Sequence, residues 1–193
     1  RRGLHEACGV SFHKRMMEGL ALLIAYLVGA VPFGFLLVKW KTGRDVRSLG
    51  SGNIGATNVL RTTGRWLGVV TLLLDIGKGC LGVWIAALLT SASPLWMSAA
   101  ALAVMAGHAF PVFLKFKGGK AVASFVGAFL YLAPLAVAAA LLVFVVVVAR
   151  TRYISLGSIT ASALFPLAVW LISRSPWPVL AAAVLGAAFI IWR

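Results

Sequence analysis

The chain has 193 residues, 62% of them hydrophobic, and carries 18 Lys and Arg against 4 Asp and Glu, a formal charge of +14. A soluble domain is about 45–50% apolar and about 25% charged, so this composition excludes a soluble globular domain, a disordered chain and a disulfide scaffold. It describes an integral membrane protein with basic loops, in which too few carboxylates exist for a carboxylate-rich metal site. Cys8 and Cys80 have no metal-ligand spacing, so neither a zinc site nor a disulfide is expected. The bases lie between apolar runs rather than on one face, which suits phosphate-bearing partners at a membrane surface and not nucleic acid.

A bilayer core takes roughly 20 apolar residues per helix. In chain order the apolar runs are Leu20–Val38, Trp66–Leu89, Leu95–Leu114, Ala121–Leu132, Pro134–Ala149, Ile154–Ile172 and Trp177–Trp192. The fourth and fifth form one uncharged stretch that Pro134 divides, and the fourth is short for a full span. Trp40, Trp66, Trp96, Trp170, Trp177 and Trp192 mark run ends, as an aromatic belt does. The expected fold is all-α: an integral membrane bundle of about seven transmembrane helices.

The bases concentrate in alternate loops. Lys39, Lys41, Arg44, Arg47, Arg61 and Arg65 follow the first run, Lys115, Lys117 and Lys120 the third, and Arg150 and Arg152 the fifth. By the positive-inside rule these loops are cytoplasmic, which puts the N-terminus outside. Arg1, Arg2, Lys14 and Arg15 oppose that orientation and precede Met16-Met17-Glu18. Residues 1–15 are therefore expected to be an upstream, non-native or disordered extension, and residues 16–193 a single transmembrane domain. A signal peptide is the rival explanation, weakened by the lack of a small-residue cleavage site.

The stretch from Gly50 to Arg61, GSGNIGATNVLR, contains the pattern G-x-G-x-x-G. Its context is not a dinucleotide fold, because no strand precedes it and no acid follows at the right distance in a loop. Glycines still let successive N–H groups converge on an anion. Gly50, Ser51, Gly52, Asn53, Gly55, Ala56, Thr57 and Asn58 are read as a phosphate cradle, with Arg61 as a planar, permanently charged fork. A plain Gly-rich turn between two spans is the simpler alternative.

In the second stretch, Gly107 to Ala123, Gly118-Gly119-Lys120 opens a helix, a position suited to phosphate. It is not a Walker loop, because Ala121 stands where Ser or Thr is needed. Lys115 and Lys117 read as a basic rim and Lys120 as functional. His108 is either a satisfied structural residue or a functional one, since ionisable groups inside membranes usually carry function. Asp75 and Lys78 fall on one helix face, as a structural ion pair or as direct substrate contacts. Arg152 and Ser155 form a weaker supporting pair.

These residues resemble the bacterial membrane acyltransferases that acylate glycerol 3-phosphate from acyl phosphate. The resemblance runs from about Leu20 to Arg193 and rests on Pro32-Phe33-Gly34, Gly50–Arg61, Asp75-x-x-Lys78-Gly79, Gly107–Ala123 and Arg152-Tyr153-x-Ser155-Leu156. It implies a multi-pass protein of the bacterial inner membrane with its site on the cytoplasmic side. The implied products are lysophosphatidic acid and phosphate, made without a cofactor in the first step of phospholipid synthesis, and a soluble enzyme that produces acyl phosphate is an implied partner. Gly50–Asn58 would cradle the acyl phosphate, with Ser51 as the motif's serine. Arg61, Lys120 and His108 would hold glycerol 3-phosphate. Three departures stand out. Ala121 replaces a customary Gly, Ala30 replaces a common Ser, and the family's basic tail with a His and an Asn is expected beyond Arg193, so the chain is expected to be C-terminally truncated.

The chemistry fits the residues without the resemblance. Acyl phosphate has a good leaving group, so positioning and charge stabilisation dominate. No nucleophile with an evident base is present, and Phe113 stands where a His-x4-Asp acyltransferase would carry its Asp. The base is then His108 or a phosphate oxygen of the substrate. A small anion or phosphate transporter is the alternative function, and a metal-dependent headgroup transferase is disfavoured by the lack of clustered aspartates.

Overall fold

The structure, a computed structural model, describes residues 2–193, with side chains from His13 onward. Cys8 and most of the expected upstream extension lie outside the residues whose side chains are described. The described residues form nine α-helices and no strand. They are α1 Arg2–Ala30, α2 Phe33–Thr42, α3 Ala56–Thr62, α4 Arg65–Leu89, α5 Pro94–Ala109, α6 Val122–Leu132, α7 Pro134–Thr151, α8 Ile154–Ala168 and α9 Trp177–Trp192.

Five stretches are long and apolar enough to cross a membrane: His13–Thr42, Arg65–Leu89, Pro94–Leu114, Pro134–Thr151 and Ile154–Ser173. Helix α6, with 11 residues, and α9, with 16, are shorter. At a rise of about 1.5 Å per residue, α6 covers roughly half of a bilayer core.

The first apolar run is not one helix. It breaks at Val31-Pro32, because Pro32 has no N–H to continue the ladder of α1. A second difference lies in the Gly50–Arg61 segment, read above as a loop throughout, whose second half is the short helix α3. A third lies at the end of the sixth run. Pro166 sits inside α8, and the chain continues through a π-helical turn, Val169–Ser173, a common response to an interrupted ladder. Pro134 opens α7, where a missing N–H costs nothing.

The core is assembled from small residues and phenylalanines. Phe125, Phe129 and Phe165 pack with centroids 4.6–4.9 Å apart, and Ala101, Ala128, Ala136 and Ala183 fill the space around them. Helices approach closely where a side chain is missing. A Cβ on Gly79 would strike the Ser124 carbonyl, and one on Gly127 the Ile76 carbonyl, so α4 and α6 meet backbone to backbone. Gly107 brings α5 against Tyr26 and Ala30 of α1 in the same way, and Tyr26 Oη donates to the Phe110 carbonyl at 2.8 Å. The outer surface stays apolar: Leu73, Leu88, Leu135, Leu142 and Trp170 are each more than half exposed, as lipid-facing residues are.

Candidate active site

Four buried polar side chains meet between α4, α5 and α6. Lys78 Nζ lies 2.8 Å from Asp75 Oδ1, and both side chains are 2% exposed. His108 Nδ1 faces the same carboxylate at 3.6 Å and lies 3.3 Å from Ser124 Oγ. Asp75 and Lys78 are one turn apart on α4, so the helix itself pairs them. Isolated charges at this depth would cost about 2.5–3.5 kcal/mol each on insertion scales, and mutual pairing offsets that cost. Lys78 has a second acceptor, the Val31 carbonyl at 2.9 Å, and stands over the Phe33 ring at 5.6 Å.

The glycine loop after α5 folds back onto that helix's carbonyl end. Gly118 N–H donates to the Ala109 carbonyl at 3.2 Å, and Gly119 N–H to the His108 carbonyl at 3.1 Å. These carbonyls have no partner within α5, and the loop supplies one. A Cβ on Gly119 would collide with His108 Nε2 and stand 3.3 Å from Asn53 Oδ1. Thus the two sequence motifs, about 60 residues apart, meet at Gly119. Lys120 projects from this point into solvent, and Ala121 caps α6 in the left-handed region at φ 61°. An alanine adopts that conformation at a cost of about 1–2 kcal/mol, which explains why glycine suits the position.

The first motif is organised by Asn58, which is 3% exposed. Its amide donates to the carbonyls of Val46, Leu49 and Asn53 at 3.3, 3.0 and 2.8 Å, and its Oδ1 accepts from Ser51 N–H at 3.0 Å. Asn53 Oδ1 accepts from Gly55 N–H at 2.8 Å. Gly50 and Gly52 turn at φ 54° and 71°, where residues with a Cβ are strained. Gly34 lets α2 rest on the Ile54 carbonyl, which gives the Pro32-Phe33-Gly34 motif a packing role. On the flank of the loop Arg47 grips Asp45, with Nη2 2.6 Å from Oδ2. The Arg47 hydrogen bond and charge hold the Asp45 carboxyl below its ordinary value.

Several donors read from the sequence are therefore already engaged within the protein: the N–H groups of Ser51, Gly52, Gly55, Gly118 and Gly119, and the Asn58 amide. The side chains of Ser51, Thr57, Arg61 and Lys120 are exposed. Arg152 and Ser155 lie exposed at the turn between α7 and α8, and among the described residues neither hydrogen-bonds to either loop. Arg152 has φ 63°, and its N–H closes α7 on the Val148 carbonyl.

Two residues of the site escaped the sequence reading. Ser124, beside His108, looks like one more small packing residue of α6. Arg193, whose Nη2 lies 3.2 Å from the Gly119 carbonyl, looks like a charge flanking the last span. In both cases the signal is a contact between distant segments.

Fold and site define a polytopic helical membrane protein with two glycine-bearing loops joined over a buried Asp-Lys-His cluster. The family profile described as glycerol-3-phosphate acyltransferase matches residues 19–193, and the chain belongs to that family. It is 50% identical over 159 residues to a glycerol-3-phosphate acyltransferase of Geobacter sulfurreducens, covering 82% of this chain and 81% of the relative. With the enzyme of Trichlorobacter lovleyi the identity is 52% over 169 residues, covering 86% and 85%. Two crystal structures of PlsY (YgiH), an integral membrane glycerol 3-phosphate acyltransferase, are similar to it. The glycerol 3-phosphate form matches with TM-score 0.85 at 37% identity, covering 91% of this chain and 87% of that one. The lysophosphatidic acid form matches with TM-score 0.81 at 35% identity, covering 91% and 86%.

Proposed function

We propose that the chain transfers a fatty acyl group from acyl phosphate to the 1-hydroxyl of glycerol 3-phosphate, releasing lysophosphatidic acid and phosphate. The observation that carries this reading is the meeting of two loops at Gly119, each with exposed hydroxyl or cationic side chains, over the Asp75-Lys78-His108 cluster. Two anionic substrates brought together on Arg61, Lys120, Ser51 and Thr57 need little more than alignment, because phosphate is a good leaving group. The engaged glycine N–H groups shape the loops, and the phosphate contacts fall to the side chains. His108 holds Gly119 from below, and the proton of the glycerol hydroxyl passes to a phosphate oxygen of the donor.

An apolar groove of about 300 Å³, lined by Val28, Val31, Phe33, Leu73 and Leu81 and bordered by Lys78, suits the acyl chain. A transporter would bind phosphate in a similar cradle, but family membership favours the enzyme. The proposed orientation has seven membrane-crossing segments, counting the short α6 and α9. Both loops then face the cytoplasm of a bacterial inner membrane, where a soluble enzyme delivers the acyl phosphate. Arg152 and Ser155 support the bundle rather than the substrates.

The purified protein in detergent is to be offered acyl phosphate and acyl-CoA separately with glycerol 3-phosphate. Lysophosphatidic acid is expected from acyl phosphate alone. Arg61→Ala or Lys120→Ala should lower the rate at least about 100-fold, as loss of one charge-stabilising donor does, with the folded helix content retained. Near-normal rates in both variants refute the site.

A further inference from the structure

We infer that Arg193 is a positioning residue for the acyl transfer, clamping the Gly118–Lys120 loop from the far end of the chain. Its Nη2 donates to the Gly119 carbonyl at 3.2 Å and to the Ala109 carbonyl at 3.4 Å, while its Cζ stands 5.1 Å from the centre of the Phe110 ring. The inference rests on reading that loop as the glycerol 3-phosphate site.

The Ala109 carbonyl ends α5, where unpaired acceptors and the helix dipole both favour a cation. The same carbonyl accepts from Gly118 N–H. The guanidinium therefore ties helix end, glycine loop and the terminus of α9 into one unit. The consequence for substrate follows from the peptide plane. The Gly119 carbonyl and the Lys120 N–H belong to one planar trans unit and point in opposite directions. Holding the carbonyl on the Arg193 side aims the Lys120 N–H away from it, and limits where the Lys120 side chain can leave the backbone. The His108 ring lies against Gly119, and the His108 carbonyl accepts from the Gly119 N–H at 3.1 Å, which holds the other side of the residue. Lysine reproduces this arrangement only in part, because its ammonium has no flat face to stack on Phe110 while one nitrogen reaches both carbonyls.

The test compares Arg193→Ala, Arg193→Lys and Phe110→Leu in the detergent-solubilised chain. It measures KM for each substrate, kcat and thermal unfolding. Arg193→Ala should raise KM for glycerol 3-phosphate about tenfold, the effect of losing a charge-assisted contact, with KM for acyl phosphate and Tm unchanged. Arg193→Lys should fall between it and the parent. Phe110→Leu, which keeps both carbonyl bonds, should stay within about threefold of the parent. An unchanged KM for glycerol 3-phosphate in Arg193→Ala overturns the inference, and so does a loss that tracks Tm and affects both substrates equally. Lys120→Ala is run in parallel. If it too leaves KM for glycerol 3-phosphate unchanged, the assignment of the loop fails. If it raises KM while Arg193→Ala does not, the role of Arg193 alone fails.

Discussion

Lys78 Nζ reaches the backbone carbonyl of Val31 at 2.9 Å, across 47 positions of sequence, at the point where Pro32 breaks the first apolar run. The break leaves that carbonyl outside the ladders of both α1 and α2, with the Phe33 N–H at 3.2 Å as its one backbone donor. The same ammonium neutralises Asp75 at 2.8 Å. One side chain thus satisfies a broken helix and a buried carboxylate.

Removing it should leave the Asp75 carboxylate without its nearest cation and the Val31 carbonyl with the Phe33 N–H alone. Lys78→Met is expected to destabilise the protein by about 3–5 kcal/mol, the usual result of stripping one partner from a buried pair. In an Asp75→Asn background the same change should cost markedly less, because no charge is left behind. Unfolding in detergent, measured as a double-mutant cycle, decides this. Equal costs in both backgrounds would show that the two residues are not coupled.

At Gly119 the prediction concerns activity more than stability. A methyl group there meets the His108 ring and approaches Asn53. Gly119→Ala should displace both loops by a fraction of an ångström to an ångström and lower kcat/KM by up to about 100-fold. Gly19, with open space around it, is the control: Gly19→Ala should keep its activity.

Asn58 and Thr57 are neighbours with opposite expected behaviour. Asn58→Ala deletes four hydrogen bonds, each worth about 1 kcal/mol, and should unfold the cradle, lowering Tm and activity together. Asn58→Asp retains the acceptor for Ser51 but none of the donors, and should also fail. Thr57→Ala, at an exposed position, should change substrate affinity without moving Tm. The three variants compared by Tm and by KM for acyl phosphate separate shaping from contact.

A pH effect is expected at Asp45, outside the spans. Its carboxyl is held below the ordinary value of 3.8, chiefly by the Arg47 hydrogen bond. A carboxylate with a depressed folded value stabilises the protein above its unfolded value and loses that contribution as pH falls through the folded one. Both side chains are about one-third exposed, so solvent screening limits the gain to under about 1 kcal/mol. Asp45→Asn should lower Tm slightly at pH 7, and the difference should shrink as the pH drops below 3.8. A difference that grows in acid would contradict the pairing.

Much of this was legible in the residues themselves. Spans follow from uninterrupted apolar length, and the positions of Lys39 to Arg65 and Lys115 to Lys120 separate basic loops from bare ones. The motif Gly50–Arg61 stands out through its glycines, hydroxyls and Arg61, and the structure shows it as a tight loop with Ser51, Thr57 and Arg61 exposed. Helix α3 was not legible, because seven polar-rich residues carry no periodic signal, and neither was the loss of donors at Ser51, Gly118 and Gly119.

By itself, the sequence determined the membrane class, the approximate number of apolar segments and where glycines and bases concentrate, because hydrophobic length, charge placement and glycine content are properties of a local stretch. Tertiary structure alone decided which N–H groups the loops engage internally, that the Asn58 side chain is tied into its own loop, that Lys78 reaches Val31, and that Arg193 reaches Gly119. Each of these is a pairing of groups distant in the chain, set by how closely α4, α5, α6 and α9 can approach, and no local pattern encodes it.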